Sequence, residues 1–270
     1  MEIITVGLAG GAEVQVEVAG SGPAILLLHA GVSERHIWDA QWTWLADRHR
    51  VARWDWRGFG DTPHVPGPFS YADDVIRIMD ALQLPSATLV GCSFGGAEAI
   101  HVAVKHPDRV ERLALVGSGV PGFDAPNPPH VVEWFQKGEE AWAREDMPAA
   151  LEVEEQVWLI GPGRRAHDVD AAYLARAREL LRRADQPDNG AVSLDREWSA
   201  MDHLEHIAVP VLVVVGSEDV PGLIEASRHL AAVCPQARFE IIPGAAHLPS
   251  LEVPDAFNRI LRDWLMATGG

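Results

Sequence analysis

Ser93, in the run Leu89-Val90-Gly91-Cys92-Ser93-Phe94-Gly95-Gly96, is the residue best placed to do chemistry. The frame is Gly-x-Ser-x-Gly. An apolar run from Ala87 to Val90 leads in, and a helix-like run from Ala97 to Lys105 leads out. A strand that reverses sharply into a helix strains the residue at the turn, and only small neighbours fit around it. The strain holds the hydroxyl above the sheet edge, at the positive end of the following helix. A serine presented this way is a nucleophile that needs a general base, and the base needs an acceptor to orient it.

In an open parallel sheet such partners collect beyond the carboxyl ends of strands. Asp219 follows the run Val211-Leu212-Val213-Val214-Val215-Gly216-Ser217-Glu218, and His247 follows Phe239-Glu240-Ile241-Ile242-Pro243-Gly244-Ala245-Ala246. Each sits just past a strand end, and the chain order is Ser, Asp, His. Glu218 is the neighbouring alternative acid; Asp219 is preferred because it lies deeper in the loop, before Val220-Pro221. The expected catalytic set is therefore Ser93, Asp219 and His247. A tetrahedral intermediate carries an oxyanion that needs backbone donors. The Phe94 N–H is one. The other is assigned to Gly31, in the loop His29-Ala30-Gly31-Val32, where a glycine lets the backbone approach closely.

The elements that must hold these groups follow from hydrophobic patterning. Residues 3–7 and 13–19 read as a hairpin turned by Gly10-Gly11, with Val14, Val16 and Val18 alternating with polar residues. The continuous apolar run at 24–29 reads as a strand buried on both faces, and further strands are read at 87–92, 110–116 and 209–216. Further strands are expected at 50–54 and 238–242. Helices are expected at 37–46, 71–82, 94–105, 222–233 and 254–266, the last with Pro254 in its first turn. Strand and helix alternate from residue 24 to 118, the mark of a mostly parallel sheet with helices on both faces. Residues 121–200 break the alternation. They open with a proline-rich loop and read as three helical stretches, near 130–143, 147–160 and 169–184, with no strand.

A chain of 270 residues with 47% hydrophobic residues buries a large core. The net charge of −17 argues against nucleic acid and against an anionic membrane surface as partners. The two cysteines, Cys92 and Cys234, make neither a disulfide framework nor a zinc pattern. His203 and His206 lack the neighbours a metal site needs. Neither a signal peptide nor a membrane-length apolar window is apparent, so a soluble cytoplasmic protein is the expectation.

Taken with their neighbours, these residues resemble the α/β-hydrolase superfamily. Leu26-Leu27-Leu28-His29 with Trp38-Asp39 is similar to that family's oxyanion segment, and Asp55-Trp56-Arg57-Gly58-Phe59-Gly60 to its D-x-R-G-x-G turn. Gly91 to Gly96 resembles its nucleophile elbow, and Gly216-Ser217-Glu218-Asp219 its acid loop. His247, with Glu252, Pro254 and Phe257 after it, resembles its histidine loop and last helix. One departure is His29-Ala30 where the family has His-Gly. The resemblance implies an eight-stranded, mostly parallel sheet with a helical cap inserted after the sixth strand. The core domain is then 1–120 and 203–270, and the cap 121–202. The cap supplies Trp134, Phe135, Trp142, Trp158, Tyr173 and Trp198, which either line a pocket or pack the cap onto the core. Trp134 and Trp158, with Val220, are the candidate substrate contacts. Arg164 and Arg165 are expected on the solvated surface rather than on a substrate carboxylate.

The function expected is a serine hydrolase cleaving a small, fairly apolar ester, lactone or thioester, with no metal or organic cofactor. Serine at the elbow disfavours dehalogenation and epoxide opening, for which the family uses Asp. Carbon–carbon bond hydrolysis and cofactor-free perhydrolysis are rival uses of the same triad. A slow-turnover binding or receptor protein on this fold is the rival from another class.

Overall fold

A computed structural model of the chain describes residues 1–184, 190–195 and 198–269. Ten strands occur among them: β1 (Glu2–Gly7), β2 (Glu13–Ala19), β3 (Ala24–Leu28), β4 (Arg50–Arg53), β5 (Gly67–Phe69), β6 (Ala87–Cys92), β7 (Val110–Val116), β8 (Ala191–Ser193), β9 (Val211–Gly216) and β10 (Ala237–Ile242). Eight of them form one sheet in the order β1-β2-β4-β3-β6-β7-β9-β10. β2 is antiparallel to both its neighbours, and every pairing from β4 to β10 is parallel.

The sheet is covered on both faces because its central strands carry buried apolar residues on both sides. Leu26, Leu28, Leu89, Leu113, Leu115, Val211 and Val213 point to one face, and there meet helices α2 (Tyr71–Ala81), α3 (Phe94–Lys105) and α7 (Pro221–Val233). Ile25, Leu27, Val90, Cys92, Ala114, Val116, Leu212 and Val214 point to the other. There they meet α1 (Asp39–Ala46) and α8 (Pro254–Ala267). The period-2 alternation of Cβ direction along a strand puts neighbouring residues into separate cores.

Between β7 and β9 the chain makes helices α4 (Pro129–Ala143), α5 (Met147–Glu154) and α6 (Ala171–Ala184), with a π-helical turn at Glu155–Ile160. Ala200 N–H donates to the Pro121 carbonyl (2.8 Å), so the segment leaves and rejoins the core at one neck. It is not uniform. Val131, Val153, Val157 and Val220 form a small apolar cluster under α4 and α5. α6 instead sends Tyr173, Leu174, Ala177, Leu180 and Leu181 into the second core of the sheet. The expectation of no strand in 121–200 is corrected. β8 pairs in parallel with β5, three residues against three. Strands this short, one of them containing Pro68, leave no alternation to read. Among the described residues no helix is long and apolar enough to cross a membrane.

Candidate active site

Ser93 joins β6 to α3 with φ 51° and ψ −115°, a left-handed backbone that non-glycine residues seldom adopt. The glycines around it leave no room for anything larger. A Cβ on Gly91 would lie 2.4 Å from the Gly95 carbonyl oxygen, and one on Gly95 would lie 2.4 Å from that of Leu28. Helix α3 therefore starts in contact with the end of β3, and the turn cannot open. Ser93 N–H donates to the Val116 carbonyl (2.8 Å), which ties the elbow to β7.

β9 and β10 bring the other two residues to the same end of the sheet. A Cβ on Gly216 would lie 2.1 Å from the Ala245 carbonyl oxygen, so the acid and histidine loops touch through backbone. His247 Nδ1 lies 3.1 Å from each Asp219 carboxylate oxygen, and both side chains are buried. Asp219 Oδ1 also accepts the Val220 N–H (2.7 Å). The neighbouring acid goes elsewhere: Glu218 accepts the Ser217 hydroxyl at 2.9 Å and is part-exposed. With Nδ1 donating to Asp219, the neutral imidazole presents Nε2 as a base. Ser93 Oγ and His247 Nε2 do not hydrogen-bond in this structure, so Asp219–His247 is the assembled half of the set.

The loop after β3 is set by His29, fully buried. Its Nε2 accepts the Trp56 N–H (3.0 Å) and its Nδ1 donates to the Ala30 carbonyl (2.9 Å). Burial pushes the His29 pKa down, which keeps the ring neutral and suits it to accept at one nitrogen and donate at the other. The loop turns through Ser33 N–H to the Ala30 carbonyl (3.1 Å). A Cβ built on Gly31 would lie 3.6 Å from Phe94 Cβ, so the two residues expected to supply the oxyanion donors are neighbours. Neither amide has a hydrogen-bond partner among the described residues. Cys92, beside Ser93, is inert by contrast, since burial and the Asp219 charge both push its thiol up.

The segment between β7 and β9 contributes Trp158. Its π-helical turn buries Val157, Leu159 and Ile160 and sets the Trp158 ring 4.6 Å from the His247 ring. Trp158 and Val220 line a groove of about 210 Å³ with Phe123, Phe135 and Leu223. A second groove, about 280 Å³, runs from Gly31, Val32 and Phe59 between Trp142, Met147, Leu151 and Leu181, with Glu154 and Arg182 also lining it. Trp134 reaches neither groove; it packs on the valine cluster under the Lys137 ammonium, 4.7 Å from its ring centre. Tyr173 is buried and donates to the Leu159 carbonyl (2.9 Å), and Trp198 stacks on His203 and meets His101 edge-on.

Two features escaped sequence reasoning. Arg164 is not on the solvated surface: 11% of its side chain is exposed, and it is bonded to the histidine loop. Its neighbour Arg165 is exposed as expected. Glu98, His101 and Asp195 also gather in the interior, with potential ligand atoms within 4.8 Å of one another. Here Lys105 already supplies a cation, 2.9 Å from Asp195 Oδ1, while Ser70 Oγ and the Tyr71 N–H also donate to that carboxylate. His203 and His206 do not join this cluster. The i, i+3 spacing of Glu98 and His101 was visible; the arrival of Asp195 from far along the chain was not.

This fold, with a strained serine at an elbow and an Asp–His pair at two later strand ends, defines a class. Over residues 23–254 the chain matches the family described as alpha/beta hydrolase fold, and it belongs to that family. It is a hydrolase of the α/β fold. A curated relative, the putative carbamate hydrolase RutD of Caulobacter sp. (strain K31), is 29% identical over 262 residues, covering 92% of this chain and 94% of the relative. A solved esterase from Thermogutta terrifontis is similar at TM-score 0.82 and 26% identity, over 99% of both chains. The enol-lactonase of Burkholderia xenovorans LB400 is similar at TM-score 0.76 and 25% identity, over 98% of this chain and 100% of the other.

Proposed function

We propose that this hydrolase cleaves small, fairly apolar carboxylic esters, lactones or thioesters through an acyl-enzyme on Ser93. The observation that carries the reading is the buried Asp219–His247 pair beyond β9 and β10, at the sheet end where Ser93 is held at positive φ. The similarity to a solved esterase and to a solved enol-lactonase supports an acyl carbon as the target.

In this reading His247 Nε2 takes the Ser93 proton as Oγ bonds to the carbonyl carbon. Asp219 holds the tautomer and stabilises the imidazolium. The Phe94 and Gly31 N–H groups receive the oxyanion. Collapse breaks the carbonyl-to-oxygen (or sulfur) bond, and His247 gives its proton to the leaving group. Water then adds to the acyl carbon, passing its proton to His247. The second collapse releases the acid and returns the proton to Ser93. The first step needs the Ser93 hydroxyl and His247 Nε2 brought into contact, and catalytic hydrogen bonds are often loose before substrate binds. Residues 121–202 act as the cap, with Trp158 and Val220, which line a groove, as substrate contacts, and Trp134 packed on the neighbouring valine cluster. The groove walls are mostly apolar, which fits a small apolar acyl or alcohol group better than a charged one.

The test is turnover of p-nitrophenyl acetate and butyrate, simple lactones, thioesters, an aryl carbamate and a vinylogous diketone, by wild type and Ser93→Ala. Ester or lactone turnover that disappears in Ser93→Ala is the expected result. Turnover that survives the substitution overturns the reading, and selective cleavage of the diketone moves it to carbon–carbon hydrolysis.

A further inference from the structure

Arg164 is an expensive residue to bury, and its contacts show what it links. Nε donates to the Ile160 carbonyl (2.5 Å), at the end of the π-helical turn that carries Trp158. Nη1 donates to the Gly244 carbonyl (2.6 Å) and pairs with Glu252 Oε1 (2.8 Å). The other Glu252 oxygen accepts the Ala246 N–H (2.7 Å), in the residue directly before His247. Trp158 then meets the His247 ring at 4.6 Å. These contacts close a circuit: Trp158 turn, Arg164, Glu252, His247 loop, and back to Trp158. Backbone seals it. Gly161 has φ 99°, and a Cβ there would lie 2.7 Å from the Glu218 carbonyl oxygen and 3.2 Å from Ala246 Cβ.

Stability does not call for this pair. Desolvating two charges offsets much of their attraction, and well-packed apolar residues of the same volume do as well or better. Arg164 Nη2 is buried with no hydrogen-bond partner among the described residues, which adds to the cost. What a guanidinium does that an apolar side chain cannot is hold two carbonyls and a carboxylate at fixed angles.

We propose that Arg164, locked to Glu252, is a positioning residue that fixes the Trp158 turn and the His247 loop against each other and so sets the direction of His247 Nε2. The proposal rests on the reading of His247 as the general base. Asp219 anchors one ring nitrogen, and the Arg164 circuit fixes the loop from which the ring projects. Misplacement of a reacting group by about 1 Å costs up to about a hundredfold in rate without removing any catalytic group.

The experiment compares wild type, Arg164→Gln, Arg164→Lys, Glu252→Gln, the Arg164→Gln/Glu252→Gln double variant and, as control, Arg165→Gln. Active sites are counted by fluorophosphonate labelling and intact mass, and kcat and KM for p-nitrophenyl butyrate are expressed per labelled site. Arg164→Gln and Glu252→Gln are each expected to lower kcat by about ten- to a hundredfold, with KM within about twofold. The double variant is expected to be no worse than the poorer single one, because the two act as a unit. Arg165→Gln is expected to match wild type. A merely structural role lowers the melting temperature and the number of labelled sites but leaves kcat per site within twofold, and that result overturns the proposal alone. If Arg164→Gln does not fold, Arg164→Lys is judged by the same per-site criterion. A wild type that is neither labelled nor active overturns the serine-hydrolase reading and the proposal with it.

Discussion

The end of the sheet and the helical segment above it hold their functional residues by different means. At the sheet end, backbone is pressed on backbone. A Cβ on Gly91, Gly95 or Gly216 would collide with a main-chain carbonyl, so the loops bearing Ser93, Asp219 and His247 have one packing available. Above it, Trp158 is held by a π-helical turn, a cluster of four buried valines and the hydrogen bonds of Arg164. Steric contact between backbones tolerates almost no displacement, because interiors are close-packed. Directional polar contacts can be broken one at a time. In the proposed mechanism the geometry of bond-making is thus built into the sheet, while the groove walls and the last adjustment of the imidazole come from the segment between β7 and β9.

That contrast sets the expected order of mutational effects. Ser93→Ala is expected to lower p-nitrophenyl butyrate turnover by about 10⁴-fold with an unchanged circular dichroism spectrum; retention of more than a tenth of the activity would break the comparison at its root. Asp219→Asn is expected to cost about 10³-fold in kcat, since the amide supports the wrong imidazole tautomer. Gly95→Ala tests the packing directly. It should destabilise the protein by about 3 kcal/mol, read as a lower urea midpoint, and a neutral effect would show that the elbow has slack. On the other side, Trp158→Ala is expected to cost only about three- to tenfold in kcat/KM while leaving the urea midpoint within experimental scatter. A loss as large as that of Asp219→Asn would place Trp158 with the sheet residues instead.

The smallest effect belongs to the place where the helical segment returns to the core. Burial opposes the Asp195 charge, but the hydrogen bonds from Lys105, Ser70 and the Tyr71 N–H outweigh it and hold the carboxyl below its ordinary value of 3.8. A carboxyl with a depressed folded-state pKa contributes stability above its unfolded pKa, lost as pH falls through the folded one. Lys105→Gln should therefore destabilise by about 1 kcal/mol at pH 7, the ammonium being partly exposed. The difference from wild type should vanish in acid, below the ordinary value. The Lys105 ammonium also lies 5.8 Å from the Trp198 ring centre, and a difference that persists in acid would assign the effect to that contact.

The same contrast explains what was legible beforehand. Ser93 and Asp219 each follow an apolar strand and His247 follows the more polar strand Ala237–Ile242, and a nucleophile at a tight turn demands glycines at set spacing, so one-dimensional pattern carried their positions. That Asp219 rather than Glu218 meets His247 follows from its depth in the loop. Nothing comparable marks Arg164. It differs from Arg165 only in which way the turn after Gly161 sends it, and that turn depends on the π-helical register of Glu155–Ile160. An added residue within a helix rotates every side chain after it, and Val157-Trp158-Leu159-Ile160 reads equally well as ordinary helix. The β5–β8 pair and the meeting of Asp195 with Glu98 and His101 were hidden for a related reason. Both join residues more than ninety positions apart through contacts too short to leave a period.

The central claim is that Ser93 is the nucleophile activated by the Asp219–His247 pair. It is tested most directly by treating wild type, Ser93→Ala and His247→Ala with a fluorophosphonate and locating the adduct by peptide mass spectrometry. The account requires one adduct per wild-type chain, on Ser93, formed at least a hundredfold more slowly in His247→Ala and absent in Ser93→Ala. An adduct on another residue, or equal labelling of wild type and His247→Ala, would contradict it.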